Sequence, residues 1–288
     1  MRERENKKVL ISTKKAILAL LLAIAVLVAA QSLAMVIANL TAVIGLPALF
    51  GNIIMGVIYP LLTLAGVSYI VKKVLKLTLK DVKITKPGVT LVWSLAAFVM
   101  PLAVSGVLLL TKGHWDNTSM SSSETWAVVT GAVFYYGLAT GIVEEVIFRG
   151  IIMSVLEYRW NKRIAILVPS VFFGALHILG NKLDILSIIQ LLAAGTVVGI
   201  LFSLVTYESG SIWCSALIHG IWNTIMIGGI LNIGVEADER SLFSYVLDSK
   251  SFLITGGDFG VEASIISVIA YLMVIILALF LLKRRKKI

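Results

Sequence analysis

Charge is scarce in this chain. Asp, Glu, Lys and Arg make up 14% of its 288 residues, where a soluble domain carries about a quarter. That scarcity excludes an ordinary cytosolic domain and a disordered tail, whose solubility rests on polar and charged residues. A single cysteine, Cys214, excludes an intramolecular disulfide framework and leaves the redox compartment unreadable; it reads as a small apolar filler. Only three histidines are present, so an imidazole inside an apolar run stands out. What is abundant is apolar: 59% of residues are hydrophobic and the mean hydropathy is +0.98. This is the composition of an all-α integral membrane protein.

An apolar helix needs about 20 residues to cross the hydrocarbon core. The run from Ala16 to Val71 carries no charge, and Gly45-Leu46-Pro47 and Gly51-Asn52 divide it into two spans. Further spans are expected at Val89–Leu110, Trp126–Ile151, Ile164–Leu179, Leu183–Thr206, Ile212–Ile233 and Ala263–Leu282, giving a bundle of about eight transmembrane helices. The fifth is short, and its break from the sixth rests on Gly180-Asn181-Lys182. The first run is too long for a signal-peptide core and reads as an uncleaved helix. No internal repeat or linker divides the chain, so residues 1–288 form a single polytopic membrane domain.

The formal charge is +9, but its placement excludes nucleic acid, which needs basic residues gathered on a water-facing domain. The basic residues fall instead in short blocks between apolar runs. With a cytoplasmic N-terminus, one side receives 6 Lys and Arg from residues 1–15, 6 from Lys72–Lys86, 4 from Arg149–Arg163 and 5 from Lys283–Lys287. The other side receives only Lys112, Lys182, Arg240 and Lys250. This asymmetry predicts eight spans in a cell membrane with both termini cytoplasmic. It places the loop from Gly234 to Glu262, with six acidic and two basic residues, outside. The lysines of 72–86 read as topological anchors touching anionic lipid.

Polar groups inside the bilayer are costly and tend to serve function. Three groups fall in the apolar spans. In Gly141-Ile-Val-Glu144-Glu145-Val-Ile-Phe-Arg149, Glu145 and Arg149 are four apart and can pair, while Glu144 points about 100° away. In Phe173-Gly-Ala-Leu-His177, Gly174 and Ala175 permit close helix contact. In His219-Gly-Ile-Trp-Asn223, the two polar residues share one helical face. Taken alone, each has a plain structural explanation: a salt bridge, a packed histidine, an interhelical hydrogen bond. Together they supply the parts of peptide hydrolysis. A carboxylate and an imidazole can hold and deprotonate a water, and a second imidazole with an amide can stabilise an oxyanion.

The order Glu-Glu-x-x-x-Arg, Phe-x-x-x-His, His-x-x-x-Asn on successive membrane helices resembles the CPBP family, which comprises type II CAAX prenyl endopeptidases and bacteriocin-processing or bacteriocin-immunity proteases. The resemblance covers roughly Phe134 to Ile230, within a protease-like core of about 126–233, with the site between spans four, five and seven; the first three helices and the last match only as hydrophobic spans. It implies that Glu144 activates water with help from His177, that His219 and Asn223 stabilise the oxyanion, that Glu145 and Arg149 hold the first motif, and that Phe173 shapes the pocket. It also implies a membrane-associated peptide or protein substrate and a bacterial source.

The zinc pattern His-Glu-x-x-His is absent. A set of Glu144, His177 and His219 would be the ligands if Zn²⁺ is used; the favoured expectation is a glutamate-activated water without metal. No Gly-x-Ser-Gly motif points to a serine protease, and Gly257-Asp258 lacks a second intramembrane aspartate. Two alternatives have other chemistry: a proton-coupled transporter, since buried Glu, Arg and His also build proton relays, and a non-catalytic immunity protein binding a peptide in the same cavity. One conflict is internal to this reading. Helix counting puts Glu144 and His219 about 10 Å from the cytoplasmic side but His177 near the outer end of its span. Convergence of all three, in a cavity open to the cytoplasm, is the expectation, and it calls for different limits for the fifth helix, a tilt of that helix or a deeper seat for it.

Overall fold

Small residues set the packing of the first hairpin. In α1 (Thr13–Val43) the buried positions include Ala16, Ala19, Ala23, Ala30, Ala34 and Ala38, while Ile17, Leu18, Leu21 and Val28 point outward. This inverted pattern, small inside and bulky outside, suits a helix surrounded by lipid, where close backbone approach drives association. The Ser12 side chain caps the first turn at Lys15 N. Gly45 ends α1 in a left-handed conformation (φ 76°), and Pro47 precedes α2 (Ala48–Leu75), whose last turn is π-helical. Gly51 and Asn52, read from sequence as part of the break, lie inside α2. Asn52 Nδ2 donates to Ala127 O (2.8 Å) and Thr130 Oγ1 (3.1 Å) of α4.

The structure, a computed structural model, describes residues 11–285. The remaining helices are α3 (Leu91–Leu109), α4 (Ser122–Arg159), α5 (Lys162–Leu176), α6 (Ile185–Ser209), α7 (Ile212–Met226) and α8 (Ile265–Arg285). The molecule is an all-α membrane bundle. Among the described residues six helices, α1 to α4, α6 and α8, are long and apolar enough to cross a membrane. The fifth and seventh expected spans are helices of 15 residues each, short of the about 20 a full crossing needs.

The span limits shift for identifiable reasons. The seventh helix ends at Met226, not Ile233, because Gly229 turns the chain (φ 77°) and Leu231–Gly234 becomes strand β2; a short apolar run does not reveal which of the two it forms. β2 pairs in parallel with β3 (Phe243–Leu247), which pairs antiparallel with β1 (Gly113–Asp116), in the order β1-β3-β2. This sheet, unexpected from the sequence, stitches the loop after α3 to the loop after α7.

Polar contacts gather at the two ends. At one end Lys83 Nζ pairs with Glu157 (3.1 Å), Ile212 N donates to Lys83 O, Trp213 Nε1 donates to Thr85 O, and Arg159 Nε donates to Thr13 Oγ1. Arg285 also pairs there with Glu208, which accepts from Trp93 Nε1. At the opposite end lie the sheet and the segment 251–264, where Asp258 Oδ2 accepts from Asp184 N and Gln190 Nε2 donates to Phe252 O and Ala263 O. Most of the basic N-terminal block, and Lys286 and Lys287, lie outside the described residues. Arg149 is no surface anchor: it is fully buried in mid-bundle, and removing it from the count leaves the charge asymmetry intact.

Candidate active site

Helix α4 is irregular where the first motif sits. Its ladder is π-helical over Gly131–Thr140, α-helical over Gly141–Glu145, and π-helical again over Val146–Ile152; such wider turns often mark functional positions. Gly137 and Gly141 let α7 cross at backbone contact. A Cβ at Gly141 would stand 2.8 Å from Gly220 Cα, and one at Gly137 2.2 Å from Thr224 Oγ1. This crossing brings the His219 face of α7 against the Glu144-Glu145 pair. Similarly, Gly174 of α5 meets Gly195 of α6, where an added Cβ would approach to 2.6 Å.

The depth conflict disappears once the helix limits are read. Helix α4 runs to Arg159 rather than Ile151, so Glu144 lies fifteen residues before its end, and His177 lies fifteen residues after the start of α5 at Lys162. The two helices are arms of one hairpin turning at Trp160-Asn161, and equal counts along antiparallel arms give equal heights, about 22 Å from the turn. The error was in the fourth span, not the fifth. Glu157 and Arg159 look like loop residues in sequence, but Glu157 bonds Lys83 and Tyr207, which lets the helix continue.

Glu144, His177, His219 and Asn223 all line one cavity of about 230 Å³. Phe173 lines it too. His219 Nε2 is 3.7 Å from Glu144 Oε2, and that oxygen is buried with no hydrogen-bond partner in the protein. His177 Nδ1 is 2.8 Å from Phe173 O; a carbonyl accepts only, so Nδ1 carries a proton, and in the neutral ring Nε2 is the acceptor. Asn223 Nδ2 donates to Tyr136 O (3.1 Å), which orients its amide. Glu144, His177 and Phe173 also border a second cavity of about 250 Å³ reaching Leu27 and Asn181.

Glu145 and Arg149 form the pair the spacing predicts, at 2.9 Å and without solvent exposure. Arg149 donates also to Gly199 O (3.1 Å), and the rings of Phe148, Phe173 and Phe202 surround its guanidinium within 5.6 Å. The sequence missed that Glu145 Oε1 also lies 3.2 Å from His219 Nδ1. One carboxylate thus holds the arginine of its own helix and the histidine of α7. Phe202 of α6 stacks on the same imidazole (4.7 Å, 17°).

The cavity is wider than a meeting of three helices. Leu191, Ala194, Gly195, Val198 and Phe202 come from α6, Tyr271 from α8, and Phe259 and Glu262 from the segment 251–264. It therefore lies toward the end bearing the sheet, not toward the basic end as expected, and no lining residue comes from the basic connecting segments. Glu262 gives no signal in sequence beyond being one of six acids in a loop. Trp222 Nε1 donates to its Oε2 at 3.0 Å. Burial pushes its carboxyl above the usual carboxylate range, opposed by that hydrogen bond and by the nearby imidazoles of His177 and His219.

Among the described residues, no group of three or more His, Cys, Asp or Glu side chains is placed to hold a metal ion. Glu144, His177 and His219 share the cavity without converging as ligands would, so the residues as placed do not fit zinc.

Residues 125–225 match the family model described as type II CAAX prenyl endopeptidase Rce1-like. The chain is also 25% identical over 170 residues to a protein of Bacillus subtilis strain 168 named "Putative membrane peptidase YdiL", covering 57% of this chain and 66% of that relative, just under two thirds of its length. The resemblance to CPBP proteases drawn from the three motifs holds, and the matched segment contains all of them.

Proposed function

We propose that this chain is an intramembrane endopeptidase that hydrolyses a peptide bond of a membrane-associated protein or peptide. The observation that carries the reading is the convergence of Glu144, His177, His219 and Asn223, from three helices, on one largely apolar cavity. Its match to the Rce1-like model and its likeness to a protein named as a membrane peptidase point the same way. The unit is one polytopic domain in a bacterial cell membrane, with both termini cytoplasmic as the charge asymmetry argues.

The chemistry follows from the hydrogen-bonding. Glu144 takes a proton from water, whose second partner is the free Nε2 of His177. The hydroxide oxygen bonds the scissile carbonyl carbon, and the oxyanion faces His219 and Asn223. Glu145 accepts from His219 Nδ1, which turns Nε2 to the cavity, where it donates to the oxyanion once the ring carries both protons. When the C–N bond breaks, Glu144 returns its proton to the leaving amine. No step needs a metal.

The test is cleavage of a membrane-associated peptide library by purified protein. Glu144→Ala and His219→Ala are each expected to lower turnover by about 10²–10⁴-fold, and wild-type cleavage is expected to persist in chelator. Loss in chelator restored by added zinc would overturn the metal-free mechanism; wild-type protein that cuts nothing would overturn the protease reading.

A further inference from the structure

The proposed chemistry uses one cavity carboxylate and leaves a second unused. Glu262 lies beyond the segment that matches the family model and enters the cavity from the loop before α8. No Lys or Arg lines the cavity, and no described Lys or Arg ion-pairs with Glu262. The guanidinium buried in the bundle interior, that of Arg149, is held by Glu145 and Gly199 O. Apart from its imidazoles, the cavity therefore presents two carboxylates and no fixed cation in a low-dielectric wall, an arrangement that concentrates positive charge.

Two rings adjoin the second carboxylate. Trp222 donates to it, and Trp222 and Tyr271 face each other at 5.0 Å and 59°. Tyr271 OH donates to the backbone carbonyl of Glu262 (3.2 Å), which fixes that residue to α8. A carboxylate in an otherwise apolar wall, anchored by an indole N–H and with no Lys or Arg lining the same cavity, is a receptor for an ammonium or guanidinium group. Because Trp222 lies three residues after His219 and directly before Asn223, such a group would sit beside the bond being cut.

Resting on the protease reading, we propose that Glu262 is a specificity-determining residue that receives a Lys or Arg side chain of the substrate next to the scissile bond. The remaining lining, Leu191, Val198, Phe202, Ile227 and Phe259, takes the apolar neighbours of that side chain.

The test separates binding from cleavage. Fluorescent ten-residue apolar peptides carrying a single Lys, or norleucine in its place, are titrated against full-length protein in lipid nanodiscs. The protein carries Glu144→Gln to stop turnover, and is compared with and without Glu262→Gln, which keeps an acceptor for Trp222. The lysine peptides are expected to bind about tenfold or more tightly than their norleucine partners. That margin should vanish in Glu262→Gln and return in part in Glu262→Asp, with thermal unfolding unchanged. Equal binding of the pair, a margin that survives Glu262→Gln, or no binding of either peptide overturns the proposal. A lysine margin on peptides that the Glu144-intact protein never cuts would instead overturn the protease reading alone.

Discussion

Two consecutive residues of α4 face different worlds. Glu145 looks into a dry interior, held by Arg149 and His219 Nδ1, with three phenylalanine rings around the arginine. Glu144, one residue earlier and about 100° around the helix, lines the cavity; the Oε2 of each glutamate lacks a hydrogen-bond partner within the protein, so what separates the two is the arginine pair that Oε1 of Glu145 makes. The first carboxylate is consumed by structure and the second is left for chemistry. A charge in the bundle serves reaction only when a neighbouring charge already fixes the frame around it.

Removing the frame should cost the most. Arg149→Leu leaves Glu145 buried without its cation and is expected to destabilise the protein by about 3–5 kcal/mol, read as a large fall in thermal unfolding temperature in detergent. The pair Glu145→Leu with Arg149→Leu should recover much of that loss, since apolar replacement of a buried pair is often near neutral. Turnover should stay low in the double variant, because His219 Nδ1 then lacks its acceptor. Recovery of turnover along with stability would erase the distinction between the two glutamates.

A smaller effect tests how the frame meets the cavity. In Gly141→Ala the new methyl would stand 2.8 Å from Gly220 Cα, so α7 must move and carry His219 with it. Overpacking of this kind costs about 1–3 kcal/mol, and turnover should fall further than the stability change explains. Gly106→Ala, with nothing within 4 Å of its added carbon, is the matched control.

The smallest effect lies at the far end of α4, remote from both glutamates. Ser121 and Glu124 form a capping box, in which the Ser121 N–H and hydroxyl both donate to the Glu124 carboxylate. Protonating that carboxylate in acid removes the charge those two donors stabilise. Glu124→Gln should therefore unfold slightly earlier than wild type at neutral pH, with the difference closing in acid and no change in cleavage specificity.

Much of this arrangement was legible in residue order. The apolar runs located the helices, and the i, i+4 spacings paired Glu145 with Arg149 and placed His219 and Asn223 on one face. What was not legible shares a cause: contacts between distant segments. Glu157 and Arg159 read as loop because the partners that satisfy them, Lys83 and Thr13, lie 74 and 146 residues away. Residues 231–233 read as helix because the apolar run becomes a strand only beside β3. Glu262 carried no signal because its meaning depends on Trp222, forty residues earlier.

The hairpin of α4 and α5 makes the site a matter of counting. With Glu144 and His177 equidistant from one turn, a single residue inserted into one arm would shift them apart by about 1.5 Å and rotate one by about 100°. Side-chain repacking cannot repair a fault of phase. Length in this hairpin is therefore free to change only in matched pairs: seven residues added to each arm, nearly two whole turns, would sink Glu144 and His177 about 10 Å deeper from the turn while keeping them almost in register. The depth at which such a site works is thus an inheritable variable, separable from its chemistry.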